Sequence, residues 1–200
     1  FFVYLRLHGE EDLDPPVQAL QSAGHPVMIL PLTGRYNLAE QFFIWEVATA
    51  LACHIIGVNP FDQPNVEAAK VLARQIVSTY KQAGQLPQPT PGFENDNLAV
   101  YASFNPSTPQ EALDCFLSQL PPKAYIALQA YLPYQEGFED ALQDLRMVLQ
   151  TTTRCAVTLG FGPRFLHSTG QLHKGDGGNG LFIQFTCTPP HPDLPIPDEI

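Results

Sequence analysis

The chain has 200 residues, ten Lys plus Arg against twenty Asp plus Glu, and a formal net charge of −10. That length allows one or two compact units, and the acidic balance excludes the clustered basic surface that nucleic acid or an anionic membrane requires. No apolar run reaches the ~18 residues of a membrane span and no signal-peptide pattern is visible, so the expected location is the cytoplasm.

In chain order, Phe1 to Leu7 is a mostly apolar run and reads as a buried strand. Pro15 to Ala23 is a short helix stopped by Gly24, and Pro26 to Leu32 is a second buried strand. Asn37 stands as the N-cap of a long helix over Leu38 to Ile56. This helix is apolar nearly all round, which predicts burial. Val66 to Ala83 is amphipathic, with Val66, Ala69, Leu72, Ala73, Ile76 and Val77 on one stripe and Gly84 as its stop. Strand–helix–strand–helix at this spacing predicts a βαβ unit with a parallel sheet over 1–84.

Gln85 to Asn97 holds Pro87, Pro89, Pro91 and Gly92 without periodicity, and reads as a linker, 85–97, between two units. The rhythm then resumes as a second α/β unit, 98–200. Leu98 to Phe104, Lys123 to Leu132, Arg154 to Gly160 and Leu181 to Cys187 read as strands. Pro109 to Leu120 is a helix opened by a capping box of Ser107/Thr108 with Glu111. Gly137 to Gln150 is a helix with Phe138, Leu142, Leu145 and Leu149 inward. The Pro-rich tail from Thr188 is expected to hug the surface or lead onward, and the chain, opening on Phe1, reads as a piece of a longer protein.

Two stretches carry candidate chemistry. In the first, Gly57 to Lys70, an apolar helix ends and a polar-aromatic loop leads to Pro64, favoured in a first helical turn. Asp62 is placed to accept orphan N–H groups there. Gln63, Val66/Glu67 and Lys70 share a helical face, so an amide and an ammonium stand beside a helix N-terminus. The combination suits an anionic, hydroxyl-rich ligand; the plain alternative is a capped helix start with a solvated lysine.

The second stretch, 160–180, follows a strand at the carboxyl end where open α/β sheets bind ligands. It carries Arg164, His167, Ser168, Thr169, Gln171, His173 and Lys174. Its seven glycines read as backbone freedom to approach a ligand. Ser168-Thr169-Gly170 offers hydroxyls and N–H groups to a phosphate, with Arg164 or Lys174 neutralising charge; the alternative is a mobile loop with incidental polar residues. His167 and His173 lack further ligands at metal spacing except Asp176, so no metal and no cofactor is expected. Cys53, Cys115, Cys155 and Cys187 form no C-x-x-C and lie among apolar residues, so they read as buried free thiols. His8, His25, His54 and His191 read as structural, with His54 in the core, and Glu46 as a paired core carboxylate.

The string Asn59-Pro60-Phe61-Asp62-Gln63-Pro64-Asn65-Val66-Glu67-x-x-Lys70 resembles the C-terminal signature of phosphoglucose isomerases, with Asn65 where that family usually has Gly. Asn tolerates the left-handed backbone, so the loop shape can survive. Trp45-Glu46 ahead of Leu51-Ala52-Cys53-His54 is similar to the segment that precedes the signature. Gly160-Phe161-Gly162-Pro163-Arg164-Phe165-Leu166-His167-Ser168-Thr169-Gly170-Gln171-Leu172-His173-Lys174-Gly175 is similar to a string in bacterial bifunctional transaldolase/phosphoglucose isomerases.

This resemblance implies a sugar-isomerase (SIS) domain, of which 1–84 is the C-terminal part, that interconverts glucose 6-phosphate and fructose 6-phosphate. Ring opening is followed by proton transfer through an enediol. It assigns Lys70 to ring opening and Gln63 to the phosphosugar. The Glu base and the ring-opening His belong to segments upstream. The implied partners are a sugar-phosphate substrate and the remainder of the polypeptide, namely another SIS domain and a fused transaldolase domain; a homodimer stays open. The rival reading is a non-catalytic sugar-phosphate-binding or docking module of a larger enzyme, with 160–180 as its sensing loop.

Overall fold

The computed structural model describes residues 1–62, 64–87, 89–166 and 168–187, with the side chains of Pro64, Leu166, Ser168 and Thr169 outside that description. The expected Pro-rich tail therefore lies outside the described residues. The fold is α/β with parallel sheets, as the alternation of elements predicts, and the chain divides into two compact units, Phe1–Asp62 and Gln63–Ile200.

In the first unit β1 (Phe2–Leu7) and β2 (Val27–Leu32) pair in parallel, Phe2 opposite Val27 through Leu7 opposite Leu32, joined by α1 (Asp14–Ser22). An ionic knot ties strand to helix. Arg6 donates from Nε and Nη2 to both carboxylate oxygens of Asp14 at 2.8 to 3.1 Å, and Tyr4 donates its hydroxyl to Asp14 Oδ1 at 3.0 Å. The hydrogen bonds from Arg6, then that from Tyr4, hold the Asp14 carboxyl below its ordinary range. Helix α2 (Asn37–Ile56) follows and ends at Gly57, whose φ of 75° is the left-handed turn that favours glycine. Asn37 does not act as the expected N-cap. It occupies the first helical turn, and its side-chain oxygen accepts from Thr33 N–H, Thr33 hydroxyl and Gly34 N–H, all at 3.0 Å.

Burial in this unit departs from expectation. Both strands carry large apolar side chains open to solvent, among them Phe2, Leu5, Met28 and Ile29. Helix α2 is mostly exposed rather than buried: Phe42, Phe43, Leu51 and Ile55 are open, and Gln41 is its one buried residue. The physical reason is layer count. Two strands and one crossing helix offer too little covering surface for a helix that is apolar on every side.

The second unit opens with α3 (Pro64–Ala83), whose apolar stripe is exposed beyond Val66 and Ala69. The end of the expected linker and the residues after it form a small antiparallel hairpin, β3 (Phe93–Glu94) with β4 (Ala99–Val100). Asn95 shapes its turn by accepting from the N–H groups of Asn97 and Leu98, both at 2.9 Å. The strand expected over Leu98 to Phe104 is thus only two residues long. Helix α4 (Pro109–Leu117) carries the expected cap: Thr108 Oγ1 accepts from Glu111 N–H at 3.1 Å, and Glu111 reaches back to Ser107 N–H at 2.7 Å.

The unit is organised on β5 (Tyr125–Tyr131), flanked in parallel by β6 (Ala156–Phe161) and β7 (Gly180–Thr186) in the order β6-β5-β7. Helix α5 (Glu136–Thr153) connects β5 to β6, and the return to β7 must pass across β5. Strand alternation sorts the sheet into two unlike faces. On one face Ile126, Leu128, Val157 and Leu149 of α5 form the buried core, joined by Ala130, Phe161 and Leu142. Of the residues expected inward on α5, Leu142, Leu145 and Leu149 pack there, but Phe138, in the first turn, is exposed. The other face carries Tyr125, Ala127, Gln129, Thr158, Gly160, Phe182 and Gln184 in register.

Candidate functional site

The first stretch is a tight turn followed by an open helix. Asn59 accepts from Phe61 N–H at 3.0 Å and donates to Asp62 Oδ1 at 3.1 Å, an Asx turn that fixes the loop. In α3, Glu67 is held by Arg74 at 2.8 Å, whereas Lys70 is exposed, with no hydrogen bond or ion pair among the described residues. Gln63 lies outside the described residues.

The second stretch is not a loop. Arg164–Leu166 forms a single 3-10 turn and Ser168–Gly175 an eight-residue helix, α6. His167 lies outside the described residues, as do the side chains of Ser168 and Thr169. Lys174 is exposed in the last turn of α6. The helix also brings the two sequence strings together inside the second unit, since a β-carbon at Gly175 would fall 2.9 Å from Asn65 Nδ2 at the start of α3.

The glycines here have a different task from the one expected. A β-carbon at Gly160 would lie 2.9 Å from the Phe165 ring, one at Gly162 2.5 Å from Tyr131, and one at Gly180 2.6 Å from the Tyr125 hydroxyl. The vacated space is filled by the chain's own aromatic rings, so these glycines serve close packing and not ligand approach.

Sequence reasoning missed the tightest polar cluster of the unit. Tyr125, at the start of β5, donates its hydroxyl to Asp176 Oδ2 at 2.5 Å and lies 2.9 Å from His173 Nδ1. Tyr125 and His173 are stacked with centroids 5.6 Å apart, and Phe182 closes on both edge-to-face. Burial, then the hydrogen bond to Asp176, pushes the Tyr125 phenol up to about 12. The hydrogen bond from Tyr125, then the Gly178 N–H, holds the Asp176 carboxyl below its ordinary range. Tyr125 and Asp176 stand 51 positions apart and follow no motif, so only the pairing of β5 with β7 reveals them.

Beside this cluster lies an open cavity of about 370 Å³. Gln129, Thr158, Glu139, Arg164 and His173 line it, with the Tyr134 and Phe165 rings. The Arg164 guanidinium sits 5.4 Å over the Tyr134 ring, a cation–π distance. The nearby Glu139 carboxylate raises the Tyr134 phenol above its ordinary value.

Other expectations fare unevenly. Glu46 and His54 are exposed, not core residues, because α2 itself is uncovered. His25 meets Phe2 edge-to-face at 5.5 Å. His191 lies outside the described residues. The cysteines are free, but Cys53, Cys115 and Cys155 are half-buried and Cys187 exposed, instead of fully buried. Among the described residues no helix is long and apolar enough to cross a membrane, and no cluster of three metal-ligating side chains occurs.

The architecture is that of an α/β protein with parallel sheets, the class expected from the sequence. Among curated proteins, part of the chain is similar to glucose-6-phosphate isomerases. The cytosolic enzyme of Zea mays is 32% identical over 87 residues, which cover 42% of this chain and 15% of that protein. The enzyme of Heliobacterium modesticaldum is 32% identical over 76 residues, 38% of this chain and 14% of that protein. That of Exiguobacterium sibiricum reaches 49% over 41 residues, 20% of this chain and 9% of that protein. The matched stretch therefore spans 15% or less of the length of these relatives. No family model matches the chain, and no solved structure matches it.

Proposed function

We propose that the chain is a portion of a glucose-6-phosphate isomerase. The observation that carries this reading is its similarity to isomerases of that name from a plant and two bacteria. The reaction opens the sugar ring and moves a proton between C2 and C1 through an enediol, which requires a carboxylate base and an acid/base pair at the ring oxygen. Lys70 is assigned to ring opening: among the described residues its ammonium makes no ion pair, while the nearby Glu67 is neutralised by Arg74. Gln63 is assigned to the phosphosugar. The base and the ring-opening histidine are assigned to segments upstream of Phe1, in keeping with a match that covers so little of the relatives. Residues 98–200 are assigned to a transaldolase-linked form on the resemblance of the 160–175 string to fused enzymes.

The test uses the parent polypeptide. Lys70→Met is expected to reduce isomerase turnover by at least about a hundredfold, the scale of lost acid–base assistance, with unchanged thermal melting. Near-normal turnover would remove Lys70 from the mechanism. The 200-residue chain alone is expected to be inactive in a coupled glucose 6-phosphate/fructose 6-phosphate assay.

A second reading, a sugar-phosphate-binding or docking module, is favoured by one observation: Arg164 lines a polar cavity, which Glu139 also lines, and makes no ion pair among the described residues. His167, Ser168, Thr169 and Lys174 are its further candidate contacts.

A further inference from the structure

Helix α3 is covered only at its start. Among its described side chains, Val66 and Ala69 are half-buried, and from Lys70 onward every one is exposed. The element against which α3 chiefly packs is α6. The approach is close. A β-carbon at Gly175, the last residue of α6, would stand 2.9 Å from Asn65 Nδ2, so glycine at 175 is what leaves the Asn65 side chain its present place. Asn65 is also the residue that stands where the isomerase signature usually has glycine, so the departure from that signature is the side chain that meets α6.

A helix of eight residues does not hold its shape alone in water, so α6 takes its position from what it is tied to. Two ties fix it. Gly170 lies against the Phe165 carbonyl, which a β-carbon would approach to 2.8 Å, and Phe165 is buried. At the other end His173 and Asp176 meet the Tyr125 hydroxyl at 2.9 and 2.5 Å, and Tyr125 opens β5, the central strand of the sheet. A continuous route therefore runs from the sheet through Tyr125, Asp176, Gly175 and Asn65 into the end of α3 that carries Lys70.

A side chain that assists a reaction must be held to within about 0.5 Å, and misplacement by about 1 Å costs about a hundredfold in rate. We propose that α6 is a brace that sets the Lys70 end of α3 against the sheet of the second unit, with Tyr125 and Asp176 as positioning residues that act on turnover through Lys70. The effect on turnover rests on the isomerase reading; the brace itself does not.

The experiment has two readouts on the parent polypeptide. In hydrogen exchange, Tyr125→Phe is expected to open residues 66–70 and 168–175 about tenfold more often, as loss of a local tie does, while the core strand amides of Leu128 and Val157 stay unchanged. In kinetics on glucose 6-phosphate, Tyr125→Phe is expected to lower kcat about tenfold with KM within about twofold, a part of the misplacement scale. In a Lys70→Met background the same change should cost nothing further, because a residue that acts through Lys70 then has nothing left to place. Gly175→Val, which drives Asn65 from its place, should lower kcat several-fold, and adding Asn65→Gly should restore it. Unchanged exchange at 66–70 in Tyr125→Phe would overturn the brace. An equal fold loss of kcat with and without Lys70 would make Tyr125 a structural residue only. Failure of Asn65→Gly to rescue Gly175→Val would remove the route through Asn65. Normal turnover in Lys70→Met would strike the effect on catalysis together with the isomerase reading, whereas faster exchange at 66–70 would still uphold the brace.

Discussion

Two regions of this chain are built from the same parts and treat apolar surface in opposite ways. The β1–α1–β2 segment and the β5–α5–β6 segment are both parallel strand pairs joined by a crossing helix. In the second, a third strand and a further helix complete the layers, and Ile126, Leu128 and Leu149 are almost wholly buried. In the first, two strands and the helix after them leave Phe2, Leu5, Phe43 and Ile55 open. Hydrophobicity along a strand or helix therefore sets what an element needs, while the number of covering layers decides what it gets.

The largest effect that sharpens this contrast is expected in the second unit's core. Leu128→Ala should cost about 2–5 kcal/mol, as truncation at a fully buried leucine does, whereas Ile55→Ala on α2 should stay within about 0.5 kcal/mol. Urea unfolding of the two variants checks this, and equal losses would mean that α2 is covered in solution. Next comes Gly160→Ala, which forces a β-carbon against the buried Phe165. Overpacking of this kind should cost about 1–3 kcal/mol, with no counterpart at Gly34, where a β-carbon meets nothing.

The smallest effects are those of pH, and they touch both regions. Asp14 and Asp176 have depressed carboxyls, so each contributes stability above the ordinary value near 3.8 that is lost as pH falls through the lower, folded-state value. Tyr125 is raised to about 12, so its contribution is complete below about pH 10, the unfolded value, and is lost as pH rises through the folded one. Melting temperatures measured across both ranges should fall at each end. Arg6→Gln should flatten the part of the acid limb that belongs to Asp14, and Tyr125→Phe should remove its share of the alkaline one.

Much of this was legible in the residues. The alternation Tyr125-Ile126-Ala127-Leu128-Gln129-Ala130 announces a strand with one apolar and one mixed face, and the Thr108/Glu111 spacing announces a cap. Helix α6 was hidden by Gly170 and by its Ser, Thr and His content, all of which favour turns; it forms because Gly170 fits where a β-carbon would meet the Phe165 carbonyl at 2.8 Å. The exposure of α2 was hidden because composition reports apolarity and not the supply of cover. Arg164, which lines the cavity, stood out in the sequence by its polar surroundings, but Tyr125 and Asp176 did not, because their meeting depends on the parallel register of β5 with β7.

Gly180 carries a consequence for descent. With a β-carbon there 2.6 Å from the Tyr125 hydroxyl and 2.9 Å from Asp176, the residues at 125, 176 and 180 are expected to change together. Lineages that keep an aromatic ring at 125 are expected to keep glycine at 180, and those that enlarge 180 should show an aliphatic residue at 125 and drift at 173. An alignment in which these positions vary independently would contradict that linkage.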